Sequence, residues 1–168
     1  MNLLRREAGF TLIELMIVVT ILAIVMAIGI PSFTTMIKNN RLTAAVNDLA
    51  GALHFARAEA VRRGRSVQVQ ALNNDIANGL RVWFDTNSNS SFNDGEEMRV
   101  VRLAGTSGIT ATAGVTNLNM TYSARGSVSG AGNELKITLC DDRSGSHGKE
   151  LRLLASGMLR TSSGVACN

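Results

Sequence analysis

A polar loop carries the most suggestive spacing of chemically active side chains in this 168-residue sequence. Oxygen-bearing residues occupy the first, third, fifth and twelfth positions of one stretch, at Asp85, Asn87, Asn89 and Glu96. This spacing imitates an EF-hand calcium loop. However, Ser90 stands where such a loop needs glycine for its sharp turn, and the flanking segments are typical of strands rather than helices. Because asparagine, serine and aspartate are common in exposed turns, the pattern favours a solvated hairpin loop without a metal.

Enzymatic chemistry is not indicated by the motifs in the sequence. Neither His54 nor His147 stands near a nucleophile and an acid in a recognisable catalytic arrangement, and the sequence has no glycine-rich phosphate loop. The two histidines also lack zinc-type spacing relative to Cys140 and Cys167. We therefore expect a protein that is not an enzyme and uses no cofactor.

The C-terminal segment carries four candidate phosphate-binding cations, at Arg143, Lys149, Arg152 and Arg160. If all four share one face, they predict a salt dependence of about 3 to 4 log units of affinity per decade of salt. Residues 141–168 contain no aromatic side chain on which single-stranded bases could stack, so any nucleic-acid contact through these cations would be with the backbone of a duplex. The alternative is a solvated rim, because acidic residues at 141, 142 and 150 offset the cations. The formal net charge of +4 falls short of that of a dedicated nucleic-acid binder.

An apolar run near the N-terminus determines on which side of a membrane the rest of the chain is expected to lie. Residues 10–30 contain Glu14 as their only ionisable side chain, and the run is long enough to span a bilayer as a helix. Arg5 and Arg6 precede the run, so the positive-inside rule predicts a cytoplasmic N-terminus and an exported remainder. No signal-peptidase site follows Pro31, which predicts that the helix is retained as an anchor. An ionised side chain in hydrocarbon costs about 2.5 to 3.5 kcal/mol. Glu14 therefore needs either a charged partner or a position close to the lipid headgroups.

Beyond Pro31 the sequence predicts a long amphipathic helix and then a sheet. An apolar stripe at helical spacing comprises Val46, Leu49, Leu53, Ala56 and Ala60. Pro31 is expected to act as a helix break that kinks or locally opens the helix, and Gly64 is expected to end it. Six alternating segments, at 66–72, 79–85, 98–103, 117–122, 135–139 and 150–155, are predicted strands. The expected fold class is α+β, with a long helix on an antiparallel sheet of about five to seven strands.

The two cysteines lie in the part of the chain predicted to be exported. Oxidation is permitted outside the cytoplasm, so we expect a disulfide between Cys140 and Cys167. In the chain-entropy picture, this bridge stabilises the fold by about 3 kcal/mol.

The segment Gly9–Leu15, GFTLIEL, resembles the class III signal of type IV prepilins, with a basic leader before it and Pro31 after the span. The resemblance implies that prepilin peptidase cleaves between Gly9 and Phe10 and methylates the new N-terminus at Phe10. It further implies that Glu14 pairs with the N-terminal amine of a neighbouring subunit. A buried carboxylate is tolerated when an opposite charge satisfies it, which agrees with that role.

Three further segments, Phe55–Gly64, Gly79–Asp85 and Gly95–Glu97, resemble the FimT/FimU minor pilins and the GspH-type pseudopilins. In those families the exported part is a helix packed against two β-sheets. FimT proteins that bind DNA during natural transformation carry a GRxR motif before the last cysteine. Gly157 and Arg160 match that motif, whereas Met158 replaces its first arginine.

These observations predict four segments: a leader at 1–9, a transmembrane helix at 10–31, its amphipathic continuation at 32–64 and an exported β-rich domain at 65–168. The favoured function is that of a minor pilin in the assembly or priming of a type IV pilus. A DNA receptor for natural transformation and a GspH-like pseudopilin of type II secretion are the alternatives. The expected partners are the major and other minor pilins, prepilin peptidase, the inner membrane before assembly and, for the receptor hypothesis, double-stranded DNA. The exported domain is expected in the periplasm and then in a filament.

Overall fold

A computed structural model describes residues 9–103, 110–113, 118–130 and 132–167 of the chain. The chain divides into two compact units, Met1–Lys38 and Asn39–Asn168. One helix, α1, runs over Leu12–Arg63. The strands of the described ranges are β1 Val67–Ala71, β2 Gly79–Trp83, β3 Glu97–Arg102, β4 Thr110–Ala113, β5 Asn119–Tyr122, β6 Val128–Ser129, β7 Glu134–Cys140, β8 Gly145–Leu154 and β9 Leu159–Cys167. Two short turns join β1 to β2: Leu72–Asn74, in which Asn73 and Asn74 have positive φ, and a 3-10 turn at Ile76–Asn78.

The described residues of the first unit are mainly the apolar start of α1. By length and composition this helix can cross a membrane, with a mean hydropathy of 2.8 over its most apolar window, and that window is not buried. Helix α1 is continuous through Pro31, which corrects the predicted helix break. A proline removes one backbone donor, which leaves the carbonyl of Ala27, four residues earlier, without its usual helical bond. After the proline, the hydroxyls of Thr34 and Thr35 both donate to the carbonyl oxygen of Pro31. The loss of one bond does not end the helix.

The end of α1 follows the predicted glycine signal. Gly64 adopts φ +62°, a left-handed conformation that glycine accepts without a steric penalty. The amide of Arg65 donates to the carbonyl of Ala60, and the amide of Gly64 donates to that of Val61. These two bonds form a Schellman motif, which satisfies carbonyls that the last turn would otherwise leave unpaired.

Two antiparallel sheets form the rest of the second unit. Sheet A has the order β3-β2-β1-β5-β6, and sheet B has the order β4-β7-β8-β9. The α+β class is thus confirmed, and the strands form the two sheets that the family resemblance implied rather than one sheet of five to seven strands. Strands β4, β6 and β9 were not predicted: β4 and β6 are short, and β9 is exposed on both faces over residues 160–164, so it lacks apolar alternation.

A single hydrophobic core joins the second half of α1 to both sheets. The predicted helical stripe is fully in this core, with Val46 the most exposed of its members at 3%. Sheet A contributes residues such as Val69 and Leu80, and sheet B contributes Ile137 and Leu151. Because the sheets present alternate side chains to the core, the remaining side chains of each strand point away from it.

Candidate functional site

The start of α1 exposes a nearly continuous apolar surface. Phe10, Leu12 and Ile13 are 85%, 77% and 67% exposed, and the large apolar side chains that follow them are at least half exposed as far as Ile30. Glu14 is also exposed and lies in the first turn, where its amide donates to the hydroxyl of Thr11 at 3.3 Å. A surface of this kind is stable only in lipid or against other apolar surfaces.

Two of the four candidate cations meet on the outer face of sheet B. Arg152 of β8 lies directly opposite Arg160 of β9 in the antiparallel register, and Lys136 of β7 lies opposite Arg152 on the other side. Directly paired residues share a sheet face, so Lys136, Arg152 and Arg160 form a row across three strands. We call this set the cationic row. Sequence reasoning missed Lys136, although the alternation of β7 places it opposite the core.

Acidic side chains partly neutralise the cationic row. The Nε atom of Arg152 donates to Glu150, and its Nη1 atom lies 3.7 Å from Glu134 Oε1. The bond to Glu150 raises the pKa of Arg152 above its ordinary value. Arg160 is exposed and has no ion pair among the residues that the structure describes. It is therefore the less restrained arginine of the directly opposed pair.

The other two candidate cations lie elsewhere, which corrects the expectation of one shared face. Arg143 donates from Nε to Asp141 Oδ2 at 2.9 Å and from Nη2 to Asn39 Oδ1 at 2.8 Å. The bond to Asp141 raises the pKa of Arg143, and the arginine side chain is only 15% exposed. Lys149 lies opposite the fully buried Leu139, so it is on the core-facing side of sheet B. Strand alternation thus separates Lys149 from Arg152.

The loop between β2 and β3 satisfies its oxygen atoms internally. Asp85 accepts from the amides of Asn89 and Ser90 through its two carboxylate oxygens. Asn87 and Asn89 accept from backbone amides two residues further along the chain. Ser90 has φ +61°, so a serine occupies the left-handed position that an EF-hand loop gives to glycine. Within the described ranges, no group of three or more His, Cys, Asp or Glu side chains could hold a metal ion.

The buried carboxylate of Glu96 holds this loop together by accepting hydrogen bonds from residues of the loop. Its side chain accepts from the amide and hydroxyl of Thr86, both at 2.9 Å, and from the amide of Asn93 at 2.9 Å. Glu96 is only 4% exposed. Burial alone raises the pKa of this carboxyl, but the donated hydrogen bonds outweigh burial and lower the pKa below its ordinary value. Glu96 therefore acts as a structural carboxylate that holds the loop.

Phe92 holds the middle of the same loop against the outer face of sheet A. Its ring meets the edge of Trp83 with a centroid distance of 5.9 Å, and the Arg81 guanidinium lies 3.9 Å from its centroid. Trp83 is 2% exposed as a result. These contacts assign the loop a packing role as a cover of the sheet.

A disulfide joins Cys140 at the end of β7 to Cys167 at the end of β9, as predicted. Gly148 lies against it: a β-carbon there would stand 2.7 Å from Cys167 Sγ. The bridge fixes the C-terminal end of β9 to a central strand of sheet B. The two cysteines are therefore structural and do not act as metal ligands.

Two sequence-family models match the chain. The model described as "Type II transport protein GspH" matches residues 45–157, and the model described as "Prokaryotic N-terminal methylation motif" matches residues 4–30. The first covers most of the unit that contains both sheets, and the second covers the apolar start of α1.

Curated relatives resemble part of the chain. A fimbrial protein of Pseudomonas aeruginosa is 38% identical over 72 residues, which are 43% of this chain and 46% of that protein. The pilin-like protein PilA1 of Thermus thermophilus is 34% identical over 91 residues, 53% of this chain and 55% of that protein. The chain thus spans about half the length of the curated relatives it matches.

Solved structures resemble a larger part of the fold. The type IV minor pilin FimU of Pseudomonas aeruginosa matches with a TM-score of 0.61 and 23% identity, covering 78% of this chain and 96% of that one. The minor pseudopilin EpsH from the type 2 secretion system of Vibrio cholerae matches with a TM-score of 0.55 and 12% identity, covering 73% and 97%. At these identities the similarity establishes a shared fold.

Proposed function

Because the chain belongs to the GspH family and carries a prokaryotic N-terminal methylation motif, we propose that it is a minor pilin that takes part in assembling or priming a type IV pilus. Proteins of pilin families are structural subunits that assemble with other pilins. The observation that carries the proposal is the exposed apolar surface at the start of α1, with Glu14 in the first turn. A subunit that first sits in a membrane and then packs among other helices needs such a surface.

The proposal includes processing at the N-terminus. Prepilin peptidase removes residues 1–9 by cutting between Gly9 and Phe10, and Phe10 is then N-methylated. The described chain before Leu12 lies outside the helix, and Gly9 and Phe10 are both exposed. An exposed segment outside the helix suits a protease, because the backbone is accessible. Before assembly the chain spans the inner membrane once, with its leader in the cytoplasm and its sheets in the periplasm.

The role proposed for Glu14 is to pair with the N-terminal amine of a neighbouring subunit. The carboxylate is costly in hydrocarbon, and a positive charge delivered by a neighbour offsets that cost. The pairing therefore favours one axial register of adjacent helices during filament growth. Pro31 lies within the same continuous helix, where one backbone donor is missing.

The test is filament incorporation of charge-altered variants in cells that carry the native assembly machinery. Glu14→Ala and the isosteric Glu14→Gln should both be processed, measured as loss of residues 1–9 by mass spectrometry. Both should be depleted in sheared filaments, because the charge partner is gone while the cleavage-site residues remain. Incorporation of Glu14→Gln at the wild-type level would overturn the proposed pairing, and absence of the wild-type chain from filaments would overturn the proposed function.

A GspH-like role in type II secretion uses the same fold and anchor, and the family match supports it directly. Deletion of the coding sequence separates the two roles. Loss of surface pili with normal protein export supports the pilus role, whereas the reverse result assigns the chain to a secretion pseudopilus.

Contact with double-stranded DNA is a second candidate function, favoured by the cationic row on the outer face of sheet B. Phosphate contact requires only positioned cations, and Arg160 is exposed there. Glu134 and Glu150 compete for Arg152, so the row offers fewer contacts than the four that the sequence suggested.

A further inference from the structure

Strand β9 is an edge strand with unusual exposure. It lies at the end of the sheet order β4-β7-β8-β9, and nothing in the described ranges pairs with its other side. Residues 160–164 are all exposed, although successive side chains point to opposite faces of the sheet. Neither face of this part of β9 is therefore covered. In a monomeric protein, an edge of this kind is a template for pairing with another chain.

The hairpin between β8 and β9 determines which backbone groups are free. The amide of Leu154 donates to the carbonyl of Met158, so Met158 belongs to a hydrogen-bonded pair. In an antiparallel ladder the hydrogen-bonded positions alternate, which assigns residues 160 and 162 to bonds with β8. The N–H and C=O groups of Leu159, Thr161 and Ser163 consequently point to the free edge.

A polar groove lies beside this free edge. It has a volume of about 230 Å³ and is lined by Thr43, Val46 and Asn47 of α1 and by Lys149, Thr161, Ser162 and Ser163 of sheet B. Thr161 lies opposite the buried Leu151, which places the threonine on the core-facing side of the sheet. A chain added to the edge would thus direct every second side chain toward this groove.

The charge of Lys149 determines which side chains of an added strand the groove favours. Lys149 lines it and has no ion pair in the part of the chain that the structure describes. The other lining groups are hydroxyls, an amide and the small apolar side chain of Val46. An acidic side chain at the inward position is complementary to this lining, whereas a lysine there would be repelled.

Over residues 159–163 the edge lacks the lysine, proline or inward-pointing charge that protects many natural edge strands from association. A β-bulge, which also limits pairing, lies just beyond this stretch, where the register with β8 leaves Gly164 without a partner between Ser163 and Val165. Strand β9 has the sequence LRTSSGVAC, in which Arg160 is the only charged residue and lies on the outer face. Its middle consists of small hydroxyl side chains that pose no steric obstacle.

We propose that β9 binds an extended acidic segment of another filament subunit by strand addition, with a carboxylate of that segment directed at Lys149. The segment becomes a fifth strand of sheet B, and its inward side chains fill the groove beside α1. Backbone bonds to Thr161 and Ser163 supply the affinity, and the groove supplies the selectivity. The assignment to a fellow subunit rests on the proposed function, whereas the edge and its charge preference do not.

The test uses the full chain, isotopically labelled in detergent micelles, and synthetic eight-residue peptides of alternating Thr and Val. One peptide carries a single inward Glu, a second carries Lys at that position, and a third carries Gln. The Glu peptide should shift the amide resonances of residues 159–165 and 43–47 and slow hydrogen exchange at Thr161 and Ser163. The Lys peptide should bind at least fivefold more weakly.

Two variants separate strand addition from simple charge attraction. Thr161→Pro removes a donor at the free edge while leaving the bonds to β8, and should weaken Glu-peptide binding at least tenfold with the sheet intact by circular dichroism. Thr161→Val retains the amide and is the matched control, with binding close to wild type. Lys149→Gln should reduce the preference for the Glu peptide over the Gln peptide to near unity.

Three outcomes would overturn the edge proposal: no shifts with the Glu peptide at millimolar concentration, equal binding to Thr161→Pro, or shifts confined to Arg152 and Arg160. These results are independent of filament incorporation in cells. If the Glu peptide binds as expected but the chain is absent from filaments, the strand-addition proposal is supported and the proposed function is wrong. If the chain is present in filaments but the Glu peptide does not bind, only the strand-addition proposal is wrong.

Discussion

Gly157 lies against the carbonyl oxygen of Gly126, so closely that a β-carbon at position 157 would stand 2.0 Å from that oxygen. Gly157 has φ +77° in the turn between β8 and β9, and Gly126 has φ +80° in the loop before β6. The amide of Val128 donates to the carbonyl of Ala155 beside this contact. Two glycine turns therefore join the β8–β9 hairpin of sheet B to the β6 edge of sheet A.

Gly157→Ala should destabilise the protein through this contact. Alanine in the left-handed region costs about 1 to 2 kcal/mol, and the overlap with backbone adds about 1 to 3 kcal/mol. Gly164→Ala is the matched control, because Gly164 has φ +79° but a β-carbon added there would meet no atom within 4 Å. Thermal melting should show a drop for Gly157→Ala about twice that for Gly164→Ala. Equal drops would indicate that the backbone relaxes away from the contact.

Loss of the Cys140–Cys167 bridge should lower the melting temperature by several degrees. The bridge spans a sequence separation of 27 residues, and the chain-entropy relation gives about 3.5 kcal/mol for a loop of this length. Cys140→Ser, Cys167→Ser and the double substitution should be destabilised alike, since each removes the same bond. Reduction of the wild type should reproduce the effect. A double variant much less stable than either single variant would instead reveal separate packing roles.

At low pH the protein should lose the stabilisation that the ionised carboxylate of Glu59 provides. Hydrogen bonds from Arg62 and Arg63 lower the pKa of Glu59 to about 2, below its ordinary value near 4.5. A depressed folded-state pKa stabilises the protein above the unfolded value, and this contribution is lost as the pH falls from about 4.5 through about 2. The melting temperature of Glu59→Gln should therefore be lower than that of wild type at pH 7, and the difference should shrink across this range. A constant difference would exclude the ionised carboxylate as its cause.

The cationic row predicts modest, salt-dependent DNA binding. Two or three phosphate contacts correspond to a slope of about 2 to 3 log units of affinity per decade of salt. Binding of labelled duplex DNA to the full chain in uncharged detergent should weaken in Arg160→Gln, with a slope reduced by about one. Lys149→Gln is the matched control, because Lys149 lies on the opposite face of sheet B. An equal loss in Lys149→Gln, or no binding by wild type at low salt, would contradict a DNA site on this row.

The site residues differ in how far sequence could place them. The spacing of residues 10–30 and the stripe from Val46 to Ala60 are local patterns, so the sequence predicts the apolar helix and its buried face directly. The glycine that ends the helix is also a local signal, because only the conformation of the last turn is involved. The disulfide was predictable because the chain contains only two cysteines, both beyond the apolar run.

The grouping of the four candidate cations does not follow from local sequence patterns. Arg143, Lys149, Arg152 and Arg160 are close in sequence, but strand alternation, the register of β8 with β9 and the contact with Asp141 distribute them over different environments. Lys136 joins them through a strand pairing that spans the β7–β8 turn. None of these relations is encoded in spacing along the chain, since each depends on which strands become neighbours.

By itself, the sequence determined an exposed apolar helix with one carboxylate, its amphipathic continuation and an α+β fold, because helical periodicity and hydrophobicity act over a few turns. Only the tertiary structure decided how the strands divide between two sheets, that β9 is a free edge and that Gly157 meets Gly126. Strand pairing and turn-to-turn contacts join residues far apart in the chain, and their free energy depends on the packing of the whole unit rather than on any local pattern.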